Sequence, residues 1–229
     1  MPTPATTISG ASLNRAQITE LLASGKGAIV FDRCELDGAD CSRLDFQHAE
    51  FVGCSLVETS FYAANLSRSK WRRCRGGQAD FESAEIVDAR FDACDLNNTN
   101  WRRARLASAA FTECKLTGAS FEEAGHLGLA FEQCRLAGAD LRRFSFRKAR
   151  LNGLDFQDAD LSGCDFRQAV FDECSLRDAH LKDTRFDGAD LRGADIAGIK
   201  LGNAAMFKGA IISSRQAAEM MLELGLVVA

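Results

Sequence analysis

No run of 18 or more apolar residues occurs anywhere in the 229 residues of this chain, so no membrane-spanning helix is expected. Its first ten residues, Met1 to Gly10, lack the basic and apolar regions of a secretory signal. They read as part of a short disordered tail, residues 1–11. Histidine is scarce: His48, His126 and His180 are the three present, and no metal-ligand spacing links them. No glycine-rich phosphate loop precedes a helix, and no nucleophile motif occurs. Neither sign of charge dominates, since 28 Lys and Arg against 32 Asp and Glu leave a net −4. These absences point away from an enzyme, and no cofactor or metal is expected. Function is expected on the surface.

What the chain has instead is a period. From Phe31, every fifth residue to Ile211 is a large apolar one, and of these 37 positions 34 fit. The exceptions are Cys41, Gly76 and His126. Neither a helix of 3.6 residues per turn nor a strand of period 2 puts a five-residue repeat on one side. The chain must turn a corner every five residues. If the large residue is position i, then i−2 forms a second lattice. It holds Ala, Cys, Thr, Ser or Gly at 31 of 36 places. One large and one small inward residue per step predict a narrow, close-packed tube. Position i−1 is mostly polar, as in Asp40, Asp45, Asp80, Asp95, Asp140, Asp160 and Asp190, and is expected to face water.

Ala139-Asp140-Leu141-Arg142-Arg143 and Ala189-Asp190-Leu191-Arg192-Gly193 show the unit plainly. With this A(D/N)LXX signature over about 180 residues, the chain resembles the pentapeptide-repeat proteins. The resemblance implies an all-β solenoid, a right-handed quadrilateral parallel β-helix with four pentapeptides per coil. The cysteines support the square coil separately. Cys34, Cys54, Cys74, Cys94, Cys114, Cys134 and Cys174 recur at multiples of twenty, interrupted by Leu154. They read as a structural ladder inside the core, filling volume as buried Cys does. Free buried thiols suit a reducing cytosol. The 31-series is chiefly aromatic, so one side is expected to be an aromatic ladder and another a Leu–Cys ladder. Nine coils stacked about 4.8 Å apart predict a rod roughly 43 Å long. Gly76-Gly77 and Gly125-His126-Leu127-Gly128 are expected to be its least regular places.

Solenoid ends need caps. Residues 12–27 read as an N-terminal capping helix, with Ser12 or Asn14 as N-cap, an Ile18-Leu21-Leu22 stripe and Gly25 at the stop. The repeat is assigned to 28–211. Within 212–229, Ser213 or Ser214 opens a helix that Gly225 ends, and Leu226-Val227-Val228 reads as a strand. Ala217, Met220, Met221 and Leu224 share one helical face. This segment looks like the C-terminal module of the quinolone-resistance pentapeptide proteins. That resemblance implies a homodimer joined through Ala217, Met220, Met221, Leu224, Leu226, Val227 and Val228.

The same resemblance implies a DNA mimic that binds a type II topoisomerase, DNA gyrase or topoisomerase IV, in the bacterial cytoplasm, and modulates it or protects it from quinolones or toxins. The candidate acidic surface is Asp40, Asp80, Glu122, Glu123, Asp140 and Asp160. The unbroken register predicts no projecting loops, as in the mycobacterial type. Basic segments occur at Arg68 and Lys70 to Arg75, and at Arg142, Arg143, Arg147, Lys148 and Arg150. They are interrupted by acids, so direct nucleic-acid binding is not expected. The alternative function is a protein-interaction scaffold, or an exported bacterial effector, without gyrase activity.

Overall fold

The computed structural model describes residues 6–24, 28–199, 205–223 and 225–227. It contains two compact units, Met1–Cys134 and Arg135–Ala229. The backbone of both closes a turn every twenty residues, about nine turns in all. Four pairing sites per turn, such as Val30↔Glu50, Glu35↔Ser55, Asp40↔Ser60 and Asp45↔Asn65, make the coil four-sided. All pairings are parallel.

Five residues make one side because four of the amides then find backbone partners and the fifth can be capped by a side chain. Leu36 donates its N–H to Ser55 O at 2.8 Å, and Gly38 to Val57 O at 2.8 Å. Ala39 closes the turn onto Leu36 O at 2.9 Å, and Ser55 reaches back to Cys34 O at 2.9 Å. The fifth amide, at i+1, is taken by the side chain at i−1: Ser42 N–H donates to Asp40 Oδ1 at 2.9 Å. The same bond recurs at Asp80, Asp140, Asp160 and Asp190. Asp and Asn are therefore corner caps as well as solvated residues. The residue at i+2 must adopt a left-handed conformation. From Arg33 to Gly198 every such residue except Gly193 has φ between 51° and 76°, and most are not glycine.

In the first unit, β1 (Thr6–Ser9), β2 (Ile29–Asp32), β3 (Glu50–Val52), β4 (Lys70–Arg72), β5 (Arg90–Asp92), β6 (Ala110–Thr112) and β7 (Ala130–Glu132) form one seven-stranded sheet. Phe31, Phe51, Trp71, Phe91, Phe111 and Phe131 are in register along it. Their rings stack with centroids 4.0–5.4 Å apart. A second aromatic side, Phe61–Phe81–Trp101–Phe121, stacks at 4.1–5.8 Å. The two stacks meet edge to face. In the second unit β8 (Arg150–Asn152) pairs with β9 (Val170–Asp172), and β10 (Cys174–Ser175) with β11 (Ala194–Asp195). Its rings stack on another side, through Phe146, Phe166, Phe186 and Phe207.

Four expectations need correction. Residues 1–11 are not a disordered tail throughout: Thr6–Ser9 is β1, paired from Thr6↔Ile29 to Ser9↔Asp32. An uncovered β2 would present a row of free amides, and Thr and Ile suit the covering strand. The first helix, α1, is shorter than 12–27 and spans Arg15–Ala23. Asn14 and Gln17 cap each other reciprocally, and Ser24 closes the helix; Gly25 lies outside the described residues. Ile18 alone of its stripe is fully buried. Gly76 does not interrupt the coil. Its amide keeps the usual bond, to Asp95 O at 2.8 Å, and Leu96 Cδ2 lies 3.1 Å from where a Cβ would stand. Finally, the register does slip once. Phe166 donates to Arg185 O, nineteen residues on, but Phe186 donates to Met206 O, twenty on. From Met206 onward the pairing runs one residue later than it does up to Ala197. Phe207 rather than Met206 then stacks on Phe186, at 5.2 Å, and the left-handed position moves to Gly209. The Phe207 ring is only half-buried there, but it continues the stack on Phe186, which a methionine would not.

Near His126 the coil keeps its bonds, and Ser108 donates to Leu127 O at 2.9 Å. Leu127 itself is 84% exposed.

Both tryptophans carry a hydroxyl residue at i−2. Trp71 Nε1 donates to Ser69 Oγ at 2.8 Å, and Ser69 passes the bond to Leu66 O at 2.7 Å. Trp101, Thr99 and Leu96 repeat the relay at 2.7 Å for both bonds. Ser69→Ala strands a buried indole N–H and is expected to cost about 1–3 kcal/mol. Thr99→Ser keeps its relay and should cost far less. Urea unfolding followed by tryptophan fluorescence distinguishes them.

Candidate functional site

The inward positions are spent on packing. All nine cysteines are buried and free. Cys34, Cys54, Cys74 and Cys134 each donate to a carbonyl of the coil below, as Cys54 Sγ does to Phe31 O at 3.2 Å. Cys94 and Cys114 donate instead to Asp92 O and Thr112 O. Cys174 in the second unit reaches Leu151 O at 3.5 Å. Burial pushes Cys41 and Cys164 up to about 12, so both remain thiols and poor nucleophiles. Among the described residues no cluster of His, Cys, Asp or Glu has the makings of a metal site.

The proposed acidic residues are placed as follows. In the first unit Asp40 and Asp80 stand two coils apart on one side, with Ser60 between them. Asp40 pairs with Arg15 at 3.0 Å. Asp80 accepts from Asn100 Nδ2 at 2.9 Å. Glu122 faces Arg102 at 3.6 Å, and Glu123 is an exposed corner residue. In the second unit Arg142 holds Asp140 through two nitrogens, at 2.8 and 2.6 Å, and approaches Asp160 at 3.7 Å. The carboxylates are thus members of an ion-pair mosaic rather than a bare acidic stripe. Pairs across adjacent coils continue it: Lys70–Glu50, Arg105–Glu85, Lys115–Asp95 and Arg135–Asp155. A side chain stacked over one of opposite sign is the sheet form of charge pairing.

The C-terminal helix α2 spans Ser214–Glu223. Ser213 is its cap: its Oγ accepts from Gln216 N–H at 3.2 Å, and Gln216 Oε1 accepts from Ser213 N–H at 2.7 Å. Gln216 is buried, and its Nε2 donates to Leu191 O and Ala194 O at 2.8 and 2.7 Å. It ties α2 to two carbonyls of the last coil, one of which, Leu191 O, also accepts the Ala194 N–H at 2.9 Å. Sequence reasoning missed this residue, although a Gln three after a capping Ser is a recognisable signal. Gly225, at φ 81°, and Leu226 N–H, bonded to Met221 O at 3.0 Å, end the helix.

Of the proposed dimer residues, Ala217, Met220 and Met221 are half-buried within the chain. Leu226 and Val227 are 54% and 90% exposed and belong to no strand, which corrects the strand expected there. Leu224 and Val228 lie outside the described residues. Leu222, not anticipated, is 57% exposed.

A family model of the pentapeptide repeat region matches residues 29–101 and 84–153, and one of nine pentapeptide repeats matches 145–195. The chain belongs to the pentapeptide-repeat family. A trypsin-treated variant of QnrB1, a plasmid-mediated fluoroquinolone resistance protein, is similar at 22% identity and a TM-score of 0.51, over 97% of this chain and all of that one. HetL, a pentapeptide-repeat protein involved in heterocyst differentiation regulation in the cyanobacterium Nostoc sp. strain PCC 7120, gives 23% identity and a TM-score of 0.39, over 82% and 86% of the two chains. No curated protein is similar enough to count as a relative. The likeness to QnrB1 is one of fold. No helix among the described residues of this pentapeptide-repeat chain is long and apolar enough to cross a membrane.

The corner caps make the solenoid acid-sensitive. Arg167 holds the Asp165 carboxyl below its ordinary 3.8, Arg192 does so for Asp190, and the Ser42 hydroxyl and amide do so for Asp40. A carboxyl with a lowered folded pKa stabilises fully above its unfolded value, and that contribution is lost as pH falls through the folded one. Thermal midpoints by circular dichroism should be level from about pH 7 to 5 and fall steeply below about pH 4.

Proposed function

We propose that this chain is a non-enzymatic protein-binding solenoid that pairs through its C-terminal module and engages a type II topoisomerase, DNA gyrase or topoisomerase IV, in place of DNA. The C-terminal module carries the reading. Gln216 anchors α2 to the last coil, and the apolar residues beyond it, Leu222, Leu226 and Val227, stand in water. An apolar end of this kind is stabilised when a second copy covers it. The sequence of that module resembles the quinolone-resistance group, and the fold likeness to QnrB1 supports the same direction. The bacterial cytoplasm, where such an enzyme works, is part of the proposal.

The ion-pair mosaic determines how DNA would be imitated. Asp40, Asp140 and Asp160 meet arginine in the free chain. A basic DNA-binding surface would have to exchange its own cations for these. Exposed ion pairs contribute only about 0–1 kcal/mol each, so the exchange costs little. The same mosaic favours a second reading, a scaffold or exported effector for a partner of mixed charge, without gyrase activity.

Two measurements test these readings. In sedimentation velocity the wild-type chain is expected to run as a dimer, and Leu222→Asp with Val227→Asp as a monomer of unchanged circular dichroism. A monomeric wild type removes the pairing. In a gyrase supercoiling assay, with and without ciprofloxacin, micromolar protein is expected to alter supercoiling or drug-induced cleavage. No effect sinks the topoisomerase reading and leaves the scaffold.

A further inference from the structure

One outward face of the first unit carries more cations than carboxylates. It lies on β4 and β5, in the middle of the seven-stranded sheet. Lys70, Arg72 and Arg90 are exposed on it, Arg68 and Arg73 are exposed at its two corners, and Arg75 is exposed on the adjoining side, aligned with Asp95. Lys70 and Arg90 are aligned across adjacent coils, and so are Arg72 and Asp92. These six cations meet four carboxylates, Asp95 among them. Glu50 is shared by Lys70 at 2.9 Å and Arg72 at 3.5 Å, Asp88 faces Arg68 at 3.7 Å, and Asp92 lies beside Arg72. Arg73, Arg75 and Arg90 have no carboxylate partner among the described residues. Arg90 spends one nitrogen on the carbonyls of Ala89 and Ser108. In a chain of net charge −4, this is a local excess of the opposite sign.

We infer that this face is a docking surface for an acidic protein segment. Charge complementarity selects the sign. Guanidinium groups, five of the six cations, suit carboxylates because they donate in a planar fork. The strands that carry them are fixed by hydrogen bonds on both sides, so the groups need little ordering on binding. Neighbouring outward residues in the same sheet are short: Val30, Val52 and Ala110. They let a partner backbone approach the arginines. A nucleic acid fits less well. Its binding rests on many phosphate contacts made by an uninterrupted row of cations, whereas Glu50, Asp88 and Asp92 interrupt this patch. This partner is distinct from the one proposed for the acidic side, since a surface that stands in for DNA presents carboxylates and this one presents cations.

The test is fluorescence anisotropy on the full chain, with a short labelled peptide of alternating Glu and Val as probe. A labelled DNA duplex and a matching Lys and Val peptide serve as comparisons. The acidic peptide is expected to bind in low salt, with affinity falling as salt rises. Binding should weaken about tenfold or more when Arg73→Glu, Arg75→Glu and Arg90→Glu are combined. The milder Arg73→Gln and Arg75→Gln pair should weaken it less, and Arg185→Glu in the second unit should leave it unchanged. Circular dichroism checks that each variant is folded. An acidic peptide that does not bind, or binds the folded charge-reversed chain as well as wild type, overturns the inference. So does a duplex that binds more tightly than the peptide and is lost with the same arginines. Because the readout involves no topoisomerase, its failure leaves the gyrase reading as it stands.

Discussion

The coil-to-coil hydrogen bond is the constraint on which the rest of this structure depends. A five-residue side can satisfy within itself only one turn closure and one side-chain cap, so the other three amides must reach the coil above or below. That requirement fixes the twenty-residue return. It also explains the left-handed residue at all the corners from Arg33 to Gly198 but that of Gly193, a conformation that costs a non-glycine side chain about 1–2 kcal/mol. The strain persists because the amide of that residue bonds the next coil: Arg33 N–H reaches Val52 O at 2.7 Å, and Arg43 N–H reaches Tyr62 O at 2.9 Å. Stacking the inward side chains is then a consequence of the backbone return. Rings twenty residues apart lie face to face because their strands already do.

Function has to be built outside this arrangement. Inward cysteines, hydroxyls and indoles are consumed by packing and by main-chain carbonyls. What varies freely is the row of outward residues, and here charge of both signs alternates from coil to coil. Such pairs add little stability singly, but they leave a surface whose carboxylates and cations can change partners. The acidic corners serve twice, as caps on an amide and as groups available to a ligand. On the basic face of β4 and β5 the alternation gives way, because the cations there outnumber the acids near them.

Much of this was legible in the residues. Leu, Phe and Trp at every fifth place named the inward lattice, and the cysteine series named the four-sided coil. Other features were less so. Asp40 or Asp190 looks like a solvated residue until the amide it caps is seen. Gly76 looks like a gap, but Leu96 leans into the space. Thr6–Ser9 has too little apolar content to read as a strand, and becomes one because β2 would otherwise be an open edge. The six acidic candidates were chosen by position. The arginine partners of Asp40, Glu122, Asp140 and Asp160 depend on side-chain reach, which spacing alone does not reveal.

The amino-acid order by itself determined the period, the identity of the inward residues, the helix signals at Asn14, Ser213 and Gly225, and membership of the family. These follow from local geometry, since a side chain that recurs every five residues can face inward in only one kind of coil. Tertiary structure alone decided where the register shifts, which charges neutralise one another and what closes the last coil. Met206 and Phe207 are both plausible lattice residues in the sequence. Only the ring of Phe186 beneath them selects Phe207, because stacking energy belongs to the pair and not to either residue.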